Sequence, residues 1–321
     1  MAQPATIEGN LITNDRPLAV EVQNDVLAVD GPLTDAELRA TAVPVDVEAE
    51  LPAGTQVIGA VQMVDEVGAS YGVQQVDNKL RTSSMPFLYD VCKGIVPNHY
   101  PFRRFGHNPT VGTSVETLWE YSTVYTYTTA AATMYISSSA LADTQVYKIQ
   151  GLDANWDVQT QLVTAVGRTK TEIGTGLTWM RILSVVNQGA TANAGVIYVY
   201  ENDTVTNGVP DTPTKVRATA GIGEGQAHLA IWSVPNDQVA YVVTVYGSEV
   251  QAKATYFSLH IREFGGVFRY LRGWAVLSSS FLHQFSLPIP LEAKTDIEMR
   301  VETTVGSGVA QGGFDGWRED V

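Results

Sequence analysis

Apolar and polar side chains alternate along most of residues 114–304, in short stretches rich in Val, Thr and Tyr. Examples are VETLWEYSTVYTYTT, TQVYKIQGLD, WDVQTQLVTAV and VAYVVTVYGS, separated by turn sequences such as NQGATANAG and VPNDQ. A period of two in β-branched and aromatic residues predicts β-strands, and no connection looks long or helical enough for a parallel crossover. The pattern predicts an all-β body, an antiparallel β-sandwich or jelly roll made as one unit or two subdomains. Residues 305–321 are Gly-rich and are predicted to be an irregular tail.

Residues 1–88 have a different pattern, with short extended pieces such as PLAVEVQ and VPVDVEAEL between Asn, Asp, Gly and Pro. Each piece offers too little apolar surface to fold alone, so a strand formed here needs a partner. Regular alternation of apolar and acidic residues favours an extended N-terminal arm that adds strands to the sheet edges of neighbouring subunits. A flexible, solvated tail is the alternative.

One short helix is predicted within this arm, in the sequence GPLTDAELRATAVPV. Thr34 stands at the N-cap position, and Glu37 three residues later completes a capping box. Leu33 and Leu38 occupy the two positions of a hydrophobic staple around that cap. The helix is predicted to end before Pro44.

Residues 89–113 form a junction between arm and body that contains Cys92, two histidines, an arginine pair and clustered aromatic residues. Pro97, Pro101 and Pro109 predict an irregular backbone, and the aromatic residues are expected to pack over the body. The arginine pair is expected to be solvated or to meet acidic groups of the arm. The candidate assembly contacts of arm and junction are Leu33, Leu38, Val43, Val45, Tyr89, Tyr100, Phe102, Arg103, Arg104 and Phe105.

Composition narrows the classes of function. The 321 residues carry a net charge of −14, and residues 1–66 contribute −10 of it, from twelve acidic residues against Arg16 and Arg39. Such a chain is not expected to bind nucleic acid or an anionic membrane surface. A single cysteine excludes an intramolecular disulfide framework and suits a reducing compartment. The sequence shows no signal-peptide pattern and no run of about 18 apolar residues, so a soluble protein is expected.

Candidate chemistry is sparse, and we predict no catalytic residue, no cofactor and no metal site. The GIGEG sequence at 221–225 lacks the Lys-Ser/Thr of a phosphate-binding loop and predicts a turn. His99 and His107 lie eight residues apart near Cys92, a combination of metal-ligand types without a recognised zinc spacing.

Two phrases resemble sequences of tailed-bacteriophage virion proteins. GPLTDAELRATAVPVDV resembles the LTDAxLRAxxVPV phrase of phage structural and tail proteins. GIVPNHYPFRRFGHNPTVGTSVETLWE resembles the GNVxGHxPFxKFGxNxxVGTxxETLW signature of a family of virion structural proteins, with Ile95 and Asn98 replacing the commoner Asn and Gly. GLDANWDVQTQLVTAVG also has a counterpart there, so the resemblance runs from about Leu33 to about Glu201.

The resemblance implies a non-enzymatic structural component of a phage virion, of the head-decoration, head-fibre or tail type. Its arm would attach to the major capsid protein or to tail or neck proteins. The resemblance also implies a homo-oligomer, with a homotrimer as the favoured symmetry, located in the virion after assembly in the host bacterial cytoplasm.

Two other functions stay open at this stage. A receptor- or glycan-binding adhesin of the tail would expose aromatic residues in loops at one end of the body, such as Trp156 beside Asp153 and Asn155. A polysaccharide-cleaving enzyme would need facing carboxylates, and sequence spacing cannot show which ones meet. The carboxylates available for that role include Glu116, Glu120, Asp153 and Asp157.

Overall fold

The structure is a computed structural model that describes residues 75–76, 79–80 and 87–321. The chain divides into two compact units, Met1–Thr82 and Ser83–Val321. In the first unit, strands β1 (Gln75–Val76) and β2 (Lys79–Leu80) pair antiparallel. The helix predicted at Thr34 lies outside the described residues, and so do four of the candidate assembly contacts, Leu33, Leu38, Val43 and Val45.

The second unit consists mainly of strands, as the alternating pattern predicts. One α-helix, α1 (Phe87–Cys92), and one 3₁₀ turn (Pro213–Lys215) accompany them in the described part of the chain. In chain order the strands are β3 (His99–Val111), β4 (Glu116–Thr117), β5 (Met134–Ser138), β6 (Val146–Leu152), β7 (Val158–Thr164), β8 (Thr171–Glu172), β9 (Arg181–Asn187), β10 (Ile197–Glu201), β11 (Val205–Thr206), β12 (Val209–Pro210), β13 (Val216–Ala220), β14 (Ile231–Ser233), β15 (Gln238–Glu249), β16 (Ala254–Arg262), β17 (Arg269–Leu277), β18 (Ser280–Leu291), β19 (Asp296–Thr303) and β20 (Gly308–Asp320).

Two sheets build a first hydrophobic core. Their strand orders are β13-β10-β5-β8 and β7-β6-β9, and neighbouring strands in each are antiparallel. Ile136, Ile149 and Val199 are fully buried in this core, one each from β5, β6 and β10. Side chains of β6 alternate between exposed and buried positions over most of its length, which is why this segment reads as a period-two pattern, whereas every residue of β13 is buried.

Two further sheets build a second core. Their orders are β18-β15-β20-β3 and β14-β19-β16-β17, with β4 pairing to β19. Val245, Phe257, Met299 and Phe314 meet in this core and are fully buried. The two sheets therefore face each other across apolar side chains, as in a sandwich. The prediction of an all-β, antiparallel fold is confirmed.

Two segments predicted to be irregular are strands, so that part of the prediction is wrong. β3 takes up most of the junction and β20 most of the Gly-rich tail, each with 13 residues. β20 lies between β15 and β3 in its sheet. Pro101 and Pro109 fit β3 because, in the described residues, it is an edge strand paired with β20 alone, where a missing N–H need not break the ladder.

The glycines of β20 have a packing role. A Cβ on Gly313 would overlap the carbonyl oxygen of Arg104 in β3, and one on Gly316 would overlap that of Tyr241 in β15. Neighbouring backbones can approach β20 this closely because no side chain intervenes. The glycine content that reads as a loop thus permits a tightly flanked central strand.

Candidate functional site

The described candidate contacts separate into inward and outward sets along β3. Phe102 is buried and stacks on Trp232, with ring centroids 4.2 Å apart. Arg104, also directed inward, donates from Nη1 to the carbonyl oxygen of Leu183 at 3.0 Å. Burial, with a smaller effect from Arg318, lowers the pKa of Arg104 to about 10. Arg104 is therefore not solvated, contrary to one of the two expectations for the arginine pair.

The outward set remains available to a partner. Tyr89, Tyr100, Arg103 and Phe105 are exposed, so of the junction aromatics named as contacts only Phe102 packs into the core. Side chains alternate across a strand, and a register that buries Phe102 and Arg104 necessarily turns Arg103 and Phe105 outward. As assembly contacts, these residues stay a prediction.

The strands β17 and β18 present a second accessible surface. They are the outer strands of the two sheets around the second core, and in the described part of the chain each pairs with one strand only, β16 or β15. Leu282 and Leu287 on β18 are 76% and 84% exposed, and Leu277 on β17 is exposed too. We call these two strands the β17–β18 edge. Exposed apolar side chains beside free strand edges are typical of protein–protein contact.

Aromatic packing supports the β17–β18 edge from within. The rings of Trp274 and Phe281 stack with centroids 4.9 Å apart. Phe281 also packs against the buried Phe257, and His283 lies edge-on to Phe285 at 4.7 Å. Offset stacked and edge-to-face rings stabilise such a surface beyond the area they bury. The exposed leucines therefore lie on strands that the packed aromatic rings hold in place.

A buried charged cluster lies on the face of β16 and β19 opposite the core residues Leu259 and Met299. Asp296 accepts hydrogen bonds from Arg181 of β9 and Arg262 of β16. Burial raises the pKa of Glu298, although hydrogen bonds and charge from Arg300 oppose this change. These carboxylates are occupied by arginines and hydroxyls within the fold. These carboxylates therefore have a structural role as ion-pair partners, because a catalytic pair of carboxylates would need access to a substrate.

The loop aromatic proposed for glycan binding is not exposed. Trp156 is 5% exposed, and the guanidinium of Arg181 lies 4.7 Å from its ring centroid. Asp153 accepts hydrogen bonds from the backbone N–H groups of Asn155 and Asp157, which closes the turn. The expectation of a Trp156 platform is wrong, because the ring fills the second core and stacks on a cation.

Three residues remote in sequence meet beside β3. His107 projects from β3, Glu120 follows β4, and His228 lies in the connection between β13 and β14. One ligand atom from each lies within 4.8 Å of those of the other two. His228 Nδ1 is 2.7 Å from Glu120 Oε1, and the Gly221 N–H donates to Glu120 Oε2 at 2.7 Å. We call these three residues the His–Glu cluster.

Electrostatics of the His–Glu cluster follow from its burial. The side chains of His228 and Glu120 are 12% and 6% exposed. The hydrogen bond that Glu120 Oε1 accepts from His228 raises the pKa of His228, against the opposite effect of burial. A second carboxylate oxygen, from Glu224, lies 3.9 Å from His228 Nε2. The imidazole therefore has a carboxylate near each nitrogen, an arrangement suited to a cation or a proton.

Sequence spacing could not reveal this cluster. Glu120 lies 13 residues beyond His107 and 108 residues before His228. The histidine combination visible in the sequence is separated instead, because eight residues of extended strand place His99 about 26 Å from His107. His99 lies 2.9 Å from Glu319 at the other end of β3.

No helix in the described ranges is long and apolar enough to cross a membrane. No protein-family model matches the chain, and no curated protein matches it. Among solved structures, the chain is similar to that of the infectious bursal disease virus Gt strain, at 10% identity over 73% of this chain and 78% of that chain, with a TM-score of 0.18. For the Gx strain of that virus, the identity is 9% over 68% of this chain and 72% of that chain, with a TM-score of 0.20. Likeness at these TM-scores does not define a shared fold.

Proposed function

We propose that the protein is a non-enzymatic structural component of a tailed-phage virion that binds neighbouring subunits through its N-terminal arm and its β17–β18 edge. The observation that carries the proposal is the β17–β18 edge itself, with exposed leucines beside two strand edges that have no partner in the described residues. An apolar sheet edge is an aggregation hazard on an isolated protein, and a subunit of an assembly can cover it. The sequence resemblance to phage virion proteins gives the kind of assembly.

Strand addition is the proposed mode of contact. β17 is nine residues long and contains no proline, so its outer edge can accept hydrogen bonds along its length. β3 and β18 are less suitable acceptors because prolines remove backbone N–H donors from both strands. These are Pro101 and Pro109 in β3, and Pro288 and Pro290 in β18.

Charge complements this geometry. Residues 1–66 carry a net charge of −10. Arg272 of β17 is exposed, and so is Arg269, which pairs with Glu263. An acidic arm from a neighbouring copy would therefore meet a basic strand edge. In this arrangement each copy offers an arm and an acceptor edge, which gives a homo-oligomer such as a trimer. The same arm can bind capsid, tail or neck subunits, and the assembled protein would be located in the virion.

The absence of an enzymatic role is part of the proposal. The buried carboxylates Asp296 and Glu298 are each bound by arginine within the described structure, which leaves them unsuited to a glycosidase reaction. Assembly is therefore proposed ahead of the polysaccharide-cleaving alternative.

The test is deletion of residues 1–60 in the phage gene. We expect a soluble body with unchanged β-sheet circular dichroism that is missing from purified particles, whereas the full-length protein is present. A full-length Leu141→Asp variant is the matched control, because Leu141 is exposed in a loop away from the β17–β18 edge. Normal incorporation of the truncated protein would show that the arm is not the attachment segment.

A further inference from the structure

We propose that His107, Glu120 and His228 form a binding site for a divalent transition-metal ion of the Zn²⁺ type. Two imidazoles and one carboxylate are a donor set that Zn²⁺ takes in proteins. The set is assembled by three separate parts of the fold, and each part contributes one ligand atom within 4.8 Å of the others. This site is independent of the proposed role in assembly.

The present distances are close to those of a coordinated ion. Around a tetrahedral Zn²⁺ with bonds of about 2.0–2.2 Å, two ligand atoms lie about 3.3–3.6 Å apart. His228 Nδ1 and Glu120 Oε1 are 2.7 Å apart, so they would separate by about 0.6–0.9 Å to admit the ion. His107 would approach them by a side-chain rotation, which its position on the outer face of an edge strand permits.

Surrounding groups already orient the ligands. The Gly221 N–H fixes Glu120 Oε2, which leaves Oε1 directed toward His228. Phe105 lies edge-on to the His228 ring at 5.4 Å, and the Glu224 carboxylate faces the nitrogen that is turned away from Glu120. Such outer partners set the ring orientation of metal-binding histidines and the basicity of ligating carboxylates.

The donor set also predicts which metal ions bind at the site and how binding changes the stability of the protein. Nitrogen donors favour Zn²⁺, Ni²⁺ or Cu²⁺ over Mg²⁺ and Ca²⁺, which prefer oxygen ligands. Three protein ligands leave one tetrahedral position for water. A bound ion would join β3 to the connection between β13 and β14, and would stabilise the folded state because the unfolded chain does not hold the three ligands together.

The experiment is isothermal titration of the metal-free full-length protein with Zn²⁺, together with thermal denaturation at each metal ratio. We expect one equivalent to bind with a rise in Tm, and no corresponding response to Mg²⁺. Loss of an outer-shell partner costs about 10–100-fold in metal affinity, so loss of a ligand should weaken binding by more than about 10-fold.

His107→Ala and Glu120→Gln are the test variants. Neither should unfold the protein, since His107 is at the surface of an edge strand and a glutamine can still accept the Gly221 hydrogen bond. His99→Ala is the matched control, because His99 also lies beside a carboxylate, that of Glu319, but has no third ligand among the described residues. Zinc binding that is equal in His107→Ala and the unmodified protein would overturn the proposal and would assign the ion to other acidic groups. Failure of the unmodified protein to bind Zn²⁺ would overturn it as well.

Discussion

Arg181 and Asp296, 115 residues apart in the chain, form a buried bidentate ion pair that joins β9 to β19. Nε lies 2.9 Å from Oδ1 and Nη2 lies 3.0 Å from Oδ2. β9 belongs to the sheet β7-β6-β9, whereas β19 belongs to the sandwich around the second core. The pair therefore links two sheets that share no strand. Arg262 donates a further hydrogen bond to Asp296 Oδ2 at 3.0 Å.

Substitution of Asp296 should be strongly destabilising. Asp296→Ala leaves the guanidinium of Arg181 buried without its carboxylate, and breaking a buried pair in this way costs about 3–5 kcal/mol. Chemical denaturation followed by tryptophan fluorescence measures the change in the free energy of unfolding. Glu263→Ala, which breaks the exposed pair with Arg269, is the control and should stay within about 1 kcal/mol. Equal effects of the two substitutions would contradict the role given to Asp296.

Gly313 should not tolerate a side chain. A Cβ there overlaps the Arg104 carbonyl oxygen, and separation of β20 from β3 to relieve the overlap should cost about 1–3 kcal/mol in Gly313→Ala. Gly225→Ala is the matched control, since a Cβ at Gly225 meets no atom within 4 Å. The Tm of each variant distinguishes the two cases, and a Gly313→Ala protein as stable as the control would refute the packing role of this glycine.

His260 should make stability fall on acidification. Burial, assisted by the charge of Arg300, lowers the pKa of His260 to about 4 from an ordinary value of 6.5. The other groups facing the ring are Ser258, whose hydroxyl is 3.0 Å from Nε2, Tyr270, and Glu298 on the adjacent strand. Between pH 6.5 and pH 4 the unfolded chain binds a proton that the folded protein does not, so the free energy of unfolding decreases as pH falls through this window.

The check is a comparison of His260→Gln with the unmodified protein at pH 7 and pH 4.5. The variant should lose less stability between these two values, because it lacks the proton uptake. NMR of the imidazole should show the His260 resonance unchanged until pH approaches 4. A midpoint near 6.5 would rule out this origin for the acid sensitivity.

The β17–β18 edge should govern self-association. Leu282→Asp with Leu287→Asp places two charges where the proposed interface excludes water, so the dissociation constant of the oligomer should rise by about 10-fold or more. Analytical ultracentrifugation over a range of concentrations measures this change. Leu141→Asp adds the same kind of charge at an exposed leucine elsewhere and should leave association unchanged. If both proteins associate like the unmodified one, the edge is not a contact between copies.

The sequence predicted the strands of the body because core side chains recur at every second position there, as in Ala240 and Val242 of β15 and Met299 and Val301 of β19. It misassigned β20, where Gly312 and Gly313 lack the side chains from which a period is read. It also misassigned β3, since Pro101 and Pro109 are tolerated only because that strand is at an edge.

Both β20 and β3 form strands because of the neighbours they pair with in the sheet. The local sequence of a strand does not specify those neighbours. The same limit applies to the candidate site. His107, Glu120 and His228 come together through the packing of three segments, and no spacing between them forms a motif. The exposed leucines of the β17–β18 edge were likewise invisible, because alternation marks two faces of a strand without showing which sheet edge lacks a neighbour.

The order of the two cores along the chain has a consequence for synthesis. Residues of the first core come from Trp119–Ile231, whereas the second core combines β3 with strands up to β20. During translation the first core can form while the second waits for β20, which must insert between β15 and β3. Until then β3 and β15 expose the edges that β20 later covers. Pairings this distant in sequence slow folding, so the two sheets around the second core are protected from misassembly only after β20 has been made and inserted.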